Sequence, residues 1–429
     1  MYDVIIIGCG FAGVTAAREC SQAGRSVLLL EAKDRIGGRT CTSELNGEAI
    51  ELGGGYVFWS QPHVWAEINR YGLQLKERPH YAATTSMLKT RFLIDGKVYH
   101  KFSKKETAQI KAAFQTFVGE ATNVFPQPFQ PFFNEKYQQY DKMSNIDRIN
   151  EMELTSLQRA MLLRTSAIQC HNDAAEGSFA EALRWYALAN GDPDTYAHSL
   201  SRFTLKEGTT HLLNCILNDA KATIHLNTAV EKIEQNDNFV NVFHKNKIFQ
   251  AKKCIVATSC NVWKNIDFSP SLNPEKQALS KEEHAGKGAK IYIQIKGAFT
   301  ESRWSATNEP ILSILPHSIS EESSMLVAFT NPAVPMAFTK ENIELFLKKF
   351  NPKIEVLDFT YHDWVSDVNT QGTWCTFKPL QMTKYLAAAQ LSEGNIHFAG
   401  SDIALGWRGF IDGAIESGVR VAREIEMSI

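Results

Sequence analysis

The sequence predicts an α/β protein. A doubly wound, Rossmann-like nucleotide-binding domain is joined to an α+β domain with an antiparallel sheet and a helical insertion. Three observations predict it. Residues 4–31 read VIIIGCGFAGVTAARECSQAGRSVLLLE, a complete βαβ unit. A helix-rich block then runs over about 101–200, and alternating strands follow it. From Trp364 onward the chain returns to a glycine-rich strand-and-helix pattern.

In the first unit, Val4–Ile7 is a short β-branched run, as in a parallel strand buried on both faces. Gly8, Gly10 and Gly13 follow in the spacing GxGxxG. Gly8 makes the tight turn, Gly10 lets a pyrophosphate approach the backbone, and Gly13 lets the helix pack on the strand. A helix over Ala12–Ala23, entered through Phe11 and Ala12, turns its free N–H groups and positive dipole end toward the phosphates. Ser26–Leu30 is the second strand. Glu31 at its end can accept from ribose hydroxyls, with Ala32 and Lys33 beside it.

The bulk properties narrow the function classes. The chain has 429 residues, enough for two or three domains. Lys plus Arg number 45 against 47 Asp plus Glu, a net charge of -2 that argues against a nucleic-acid partner. No run reaches the ~18 apolar residues of a membrane span. Met1-Tyr2-Asp3 lacks the basic start of a secretory signal, and AREIEMSI has no apolar tail, so no membrane anchor is expected. The eight cysteines are scattered with no CxxC pair. That pattern predicts free thiols in a reducing cytoplasm and no metal site.

After Glu31, Arg35 and Arg39 bracket Gly37-Gly38. Guanidinium groups pair bidentately with phosphate oxygens, so these arginines suit a pyrophosphate. Gly53-Gly54-Gly55-Tyr56 makes a poor strand and marks close approach of a ligand or another backbone. RIGGRT behind GxGxxG…E, followed by ELGGGY, resembles the flavin-containing monoamine oxidase family, the FAD-dependent amine oxidases. The likeness is strongest to bacterial enzymes of the 6-hydroxynicotine oxidase type. They share MYD at the start, the helical block, the region Glu283–Lys296, and YHDW followed by G-x-W. The resemblance implies FAD rather than NAD.

The middle of the chain is read in order. Within the helical block, Ser144–Asn172 and Ala174–Ala189 read as helices, and Asp192-Pro193-Asp194 reads as its end. Gly208, with Thr209 and Thr210 as candidate N-caps, opens another helix. Strands are expected at Thr223–Asn227, Val230–Gln235, Phe239–His244, Lys247–Gln250 and Cys254–Ala257. Lys290 opens an alternating strand; Ser324–Thr330 and Ile354–His362 add two more, with a helix at Lys340–Phe350. The expected domains are discontinuous. Residues 1–78, 203–282 and 365–429 form the FAD-binding part, and 79–202 with 283–364 the substrate-binding part.

The resemblance implies the site. Trp374 and Phe410 flank the amine in front of the flavin. Lys290 reaches the reactive flavin nitrogen through a water and stabilises charge during reoxidation. Val230 lies against the adenine. Trp364 belongs to the loop leading to the flavin's substrate face. Gly400, Ser401 and Asp402 end a strand, with Asp402 accepting from ribityl hydroxyls. Phe410, Ile411 and Ala414 begin a helix whose dipole faces the pyrimidine ring. Family members that tether their flavin carry cysteine where this chain has Thr373, so non-covalent FAD is expected. Nicotine oxidases place an amide where this chain has Ile168, beside Gln169. Tyr56, Ile168, Gln169 and His171 are the candidate substrate-pocket residues.

The reaction implied is oxidation of a primary or secondary amine to an imine, then hydrolysed, with oxygen reduced to hydrogen peroxide. The partners expected are a small-molecule amine and oxygen, with a homodimer as one open assembly. Two other classes stay open: a flavin desaturase or dehydrogenase acting on a C–C bond or using another acceptor, and a non-catalytic flavoprotein scaffold.

Overall fold

The computed structural model describes residues 1–79, 81 and 89–428. Its largest sheet has eight strands. They run in the order Ala222–His225, Val27–Leu30, Tyr2–Ile7, Lys247–Val256, Val240–His244, Lys232–Gln235 and Asp267–Ser269, with Ile396–Phe398 also paired to Lys247–Val256. The strands around Tyr2–Ile7 are parallel, with Ile5 opposite both Leu28 and Cys254. Val4, Ile5, Ile6 and Ile7 are all buried, because helices cover both faces. One face carries Val4, Ile6, Leu29 and Ile255 against the helices Phe11–Gln22 and Ile411–Ser428. The other packs Ile5, Ile7, Leu28 and Val256 into the same core as Phe117, Phe179 and Leu183 of the helical block.

Two close approaches set this packing. A Cβ on Gly13 would lie 2.0 Å from the Gly8 carbonyl oxygen. One on Gly418 would lie 2.5 Å from the Ala12 carbonyl oxygen, so the first and last helices touch backbone to backbone.

The second sheet has seven strands, ordered Val356–Tyr361, Lys290–Lys296, Ser323–Thr330, Ile311–Ile319, Glu301–Ala306, Lys89–Ile94 and Lys97–Tyr99. Its pairs are antiparallel except Glu301–Ala306 with Lys89–Ile94, which run parallel. The helix Lys340–Lys348 covers one face through Ile343, Phe346 and Leu347. Tyr292 and Val327 point the other way, into a small core with Ile50 and Leu315.

Several local expectations are corrected. Ser144–Asn172 is two helices, Asn145–Asn150 and Ser156–Cys170. The break occurs because Thr155 and Gln158 form a capping box that starts a new helix. The next helix begins only at Phe179, where Ser178 accepts from the Ala180 N–H. Asp192-Pro193-Asp194 opens a helix, Pro193–Ser201, instead of ending the block: Asp192 is its N-cap and Pro193 its first residue. Lys247–Gln250 and Cys254–Ala257 belong to one strand, Lys247–Val256. Gly208, not Thr209 or Thr210, is the N-cap of Thr209–Asp219. Its first donors are met from outside: Thr209 N–H by Glu51 Oε1 at 2.7 Å and Thr210 N–H by Thr42 Oγ1 at 3.0 Å.

In an exposed helix, Gly→Ala stabilises; here the methyl meets a carbonyl. Gly13→Ala is expected to lower unfolding free energy by about 1–3 kcal/mol, read as an earlier midpoint in chemical denaturation. An unchanged or later midpoint contradicts the close-packing role.

Candidate active site

A cavity of about 510 Å³ runs between the two sheets. At one end it is lined by Gly8, Gly10, Phe11, Ala12, Glu31, Ala32, Lys33, Gly38 and Val230. At the other it is lined by Ile168, Gln169, His171, Lys290, Trp374 and Phe410. Arg39, Gly53, Gly54, Gly55, Tyr56, Trp364, Gly400, Ser401, Ile411 and Ala414 complete the wall among the expected residues.

The first end is built for an anion beside a polyol. Gly10 is the N-cap of Phe11–Gln22 and supplies no capping side chain, and the first turn holds no acidic residue. The N–H groups of Phe11, Ala12 and Gly13 have no acceptor among the described residues. They leave the positive helix end open beside Gly37 and Gly38. Glu31 is buried; its carboxylate accepts from Cys9 N–H at 2.7 Å and Lys33 N–H at 3.0 Å, which fixes it at the cavity wall. This donor set fits a dinucleotide diphosphate with its ribose.

Three expected residues do not line the cavity. Gly13 packs on Gly8. Arg35 spends its guanidinium on the carbonyls of Ile36, Gly38 and Thr40, holding the glycine turn instead of facing the cavity. Asp402 is 1% exposed, lies off the cavity wall, and accepts from Arg39, Ser401 Oγ and Cys260 N–H, so its carboxylate faces the protein's own donors. Burial alone would raise the Asp402 carboxyl; the Arg39 guanidinium outweighs it and holds the group at about 2. Arg39 in turn donates to Thr373 O at 2.8 Å and Ser401 Oγ at 2.9 Å. His284, Cys375 and Asp402 place ligand atoms within 4.8 Å of one another, yet Asp402 is already committed to Arg39.

At the other end, Lys290 begins its strand 5% exposed. Its Nζ donates to Glu51 O at 2.6 Å and Gly53 O at 2.9 Å, and lies 5.0 Å from the Tyr56 ring centre. Burial drives its ammonium down to about 7, with Glu51 opposing and Arg78 reinforcing. Trp374 is clamped: its Nε1 donates to Gln169 O at 2.9 Å, and its ring stacks on His171 at 3.9 Å and 2°. His171 has Nε2 3.3 Å from the Ala289 carbonyl and Nδ1 2.9 Å from Thr373 Oγ1. The carbonyl can only accept, so Nε2 carries the proton and Nδ1 accepts from Thr373. Burial pushes His171 down to about 3, and it is neutral at working pH. The Gln169 amide is turned to Glu181 O at 3.4 Å, away from a ligand role.

Phe410 packs edge-on against Trp185 at 4.9 Å and Trp407 at 5.2 Å. Gly409 places it, with φ +83 and room for a Cβ only 2.5 Å from Cys375 O. Trp374 and Phe410 both line the cavity, and among the described residues no ring contact joins them. None of the eight cysteines lines the cavity; Cys375 is fully buried with Sγ on Asp402 O.

Sequence reasoning missed Trp185, Tyr196, Arg303, Ser313, Leu315 and Phe329, all of which line the cavity. Phe329 pairs with Lys290 across the sheet. That partnership depends on register, for which the local pattern carries no signal. Arg408 and Arg184 are excluded as ligand groups, because both pair with the buried Glu181.

Removing the Asp402 charge strands the Arg39 cation. Asp402→Asn is expected to cost about 2–3 kcal/mol at pH 7, since Arg39 keeps some cavity exposure. The folded value of Asp402 lies below its ordinary 3.8. The stability it contributes is therefore present above that value and lost as pH falls toward 2. Wild type and variant should converge in melting temperature on acidification; a constant difference down to low pH contradicts the pairing.

The family model described as flavin containing amine oxidoreductase matches residues 11–426. Pseudooxynicotine dehydrogenase of a Pseudomonas species is 36% identical, over 99% of this chain and 86% of that protein. Nicotine dehydrogenase of Pseudomonas putida is 33% identical over 99% and 88%. (S)-6-hydroxynicotine oxidase of Paenarthrobacter nicotinovorans is 29% identical over 97% of each. Among solved structures, a redesigned putrescine oxidase superposes with TM-score 0.87 at 21% identity, covering 100% of this chain and 99% of the other. Cyclohexylamine oxidase from Brevibacterium oxydans gives 0.82 at 20%, again over 100% and 99%. With a match across nearly its whole length and a cavity that joins an anion-binding helix end to an aromatic-lined wall, this chain belongs to the flavin-containing amine oxidoreductase family.

Proposed function

We propose that this chain oxidises a primary or secondary amine to an imine, using non-covalent FAD and passing the electrons to oxygen. The observation that carries the proposal is that Lys290, Trp374 and Phe410 all line the one cavity that also takes in the glycine turn and Glu31. FAD is favoured over a mononucleotide by the open helix end and by Glu31, which suit the diphosphate and adenosine ribose. Residues 1–78, 203–282 and 365–429 would form the part that holds it. Non-covalent binding is favoured because no cysteine lines the cavity. Eight free thiols, most of them deeply buried, suit a reducing cytoplasm, and no helix of the described residues is long and apolar enough to cross a membrane.

When bound, the flavin supplies the two-electron acceptor. The chain supplies position and electrostatics. Trp374 and Phe410 hold the amine carbon in a gap whose walls are aromatic and water-poor. While Lys290 is charged it disfavours an ammonium beside it, so the neutral form of the amine is favoured. Below about pH 7 the Lys290 ammonium also stands ready to stabilise negative charge on reduced oxygen. A second reading, a carrier as acceptor in place of oxygen, is favoured by the names of the two dehydrogenases at 36% and 33% identity.

The test is anaerobic mixing with a library of amines. At least one should bleach the flavin band, air should restore it with one peroxide per turnover, and acid precipitation should leave the colour in the supernatant. Bleaching without peroxide in air assigns the carrier reading; a yellow pellet contradicts non-covalent FAD. The role of Lys290 is read from reoxidation. Because its ammonium is lost as pH rises through about 7, reoxidation by oxygen should slow above that pH. Lys290→Met should slow it roughly tenfold or more and flatten the profile. A variant as fast as wild type, or equally pH-dependent, removes the assignment.

A further inference from the structure

Buried arginines in this fold come with carboxylates. Arg18 pairs with Glu67, Arg39 with Asp402, and Arg184 and Arg408 with Glu181. Arg164 and Arg303 break the pattern, and both line the cavity. Arg164 is 8% exposed on the helix Ser156–Cys170, one turn before Ile168. Its Nε donates to Leu312 O at 3.3 Å, and its two Nη nitrogens have no partner among the described residues. Arg303, half-buried on the strand Glu301–Ala306, has no hydrogen bond or ion pair among the described residues. The charge acting on Arg164 is another cation, Arg303. Arg303 in turn feels Tyr81 and the cation Arg78.

Arg78 deepens the imbalance. It is 2% exposed, donates only from Nη2, to Pro316 O at 3.3 Å, and leaves Nε and Nη1 unpartnered. Residues 80 and 82–88, His followed by AATTSML, hold no Asp or Glu that could neutralise the group. Arg78 lies outside the cavity wall, over the Tyr56 ring at 4.8 Å, and adds only its charge. Cations withdrawn from water without a counter-charge are costly, and a fold that pairs its other buried arginines leaves Arg164 and Arg303 open toward a ligand. A guanidinium fork matches the two oxygens of a carboxylate.

The sheet fixes where this charge lies relative to the chemistry. Lys290 pairs with Phe329, Phe329 with Ser313, and Ser313 with Ser305, two residues along from Arg303. Arg303 is therefore three strands across and two residues along from Lys290, about 16 Å backbone to backbone at the usual strand spacing and rise. Side chains reaching inward from both ends leave a span for a short linker. Leu315, Phe329 and Ile168 line the cavity between them and suit an apolar chain or ring.

We propose that the Arg164–Arg303 end of the cavity is a carboxylate subsite, and that the substrate is an amine carrying its anion at the end remote from the reacting nitrogen. This rests on the amine oxidation proposed above and narrows it. The same charges repel a second ammonium, so diamines are poor substrates.

The test uses the flavin-loaded full chain and matched sets of straight-chain compounds: ω-amino carboxylates from aminobutyrate to aminooctanoate, the alkylamines of equal length, and the corresponding diamines. At the best length, kcat/KM for the amino carboxylate should exceed that for the alkylamine by roughly tenfold to a hundredfold, with the diamine lowest. Arg303→Met and Arg164→Met should collapse that ratio toward one, while Arg303→Lys should retain part of it. Hexanoate should perturb the flavin spectrum without turnover and bind more weakly to Arg303→Met. The subsite is wrong if alkylamines match or exceed the amino carboxylates, if the ratio survives both Met variants, or if hexanoate does not bind wild type. Bleaching by alkylamines with no carboxylate preference sinks the subsite alone. Bleaching by no amine sinks amine oxidation itself.

Discussion

The contact on which the rest of the site depends is the ion pair between Arg39 and Asp402, residues 363 apart in sequence. Asp402 is almost wholly inaccessible, so its charge is tolerable only if a cation stays beside it. Arg39 is that cation, and it cannot move without also releasing Thr373 O and Ser401 Oγ. Those two atoms belong to the loops that carry Trp374 and Phe410. One electrostatic requirement therefore holds the early glycine-rich segment, the tryptophan loop and the last strand in a single geometry.

A second set of contacts ties the seven-stranded sheet to the backbone of the hairpin Thr42–Leu45 with Glu48–Glu51 and the glycine run that follows it. Lys290 reaches from the second sheet to Glu51 O and Gly53 O, and Tyr292 Oη lies 3.3 Å from the Glu51 N–H. The Glu51 side chain meanwhile serves Thr42, Thr209 N–H and Thr209 Oγ1. Gly53 permits this junction, because a Cβ there would sit 2.0 Å from Arg39 O. The lysine is thus a structural tie as well as a candidate for chemistry, and its lowered proton affinity follows from the burial that this tie requires.

What could be read in the sequence was whatever local pattern determines. The GxGxxG turn, the buried strand before it, Glu31 and the RIGGRT loop all follow from spacing, and their elements stand where spacing puts them. Charge was legible but its direction was not: Arg35 and Asp402 read as ligand groups, and both turn to the protein's own atoms. Some signals were present and unread. Thr155-x-x-Gln158 marks a helix start, and Asn46-Gly47 marks the hairpin Thr42–Leu45 with Glu48–Glu51, with φ of 50 and 82 at the two turn residues. Arg303, Ser313 and Phe329 were out of reach, because only cross-strand register places them relative to Lys290.

The eight-stranded sheet joins strands 2–7, 247–256 and 396–398 side by side. During synthesis the first of these must wait for nearly four hundred residues before its sheet can be completed. Until then Val4 and Ile6, which pack under the last helix, and the open edge of the middle strand lack part of their cover, an apolar surface of the kind chaperones hold. Cofactor capture is correspondingly late. The cradle around Gly10 is written first, but the cavity gains its last wall only when Gly400, Ser401 and Phe410 have emerged and docked.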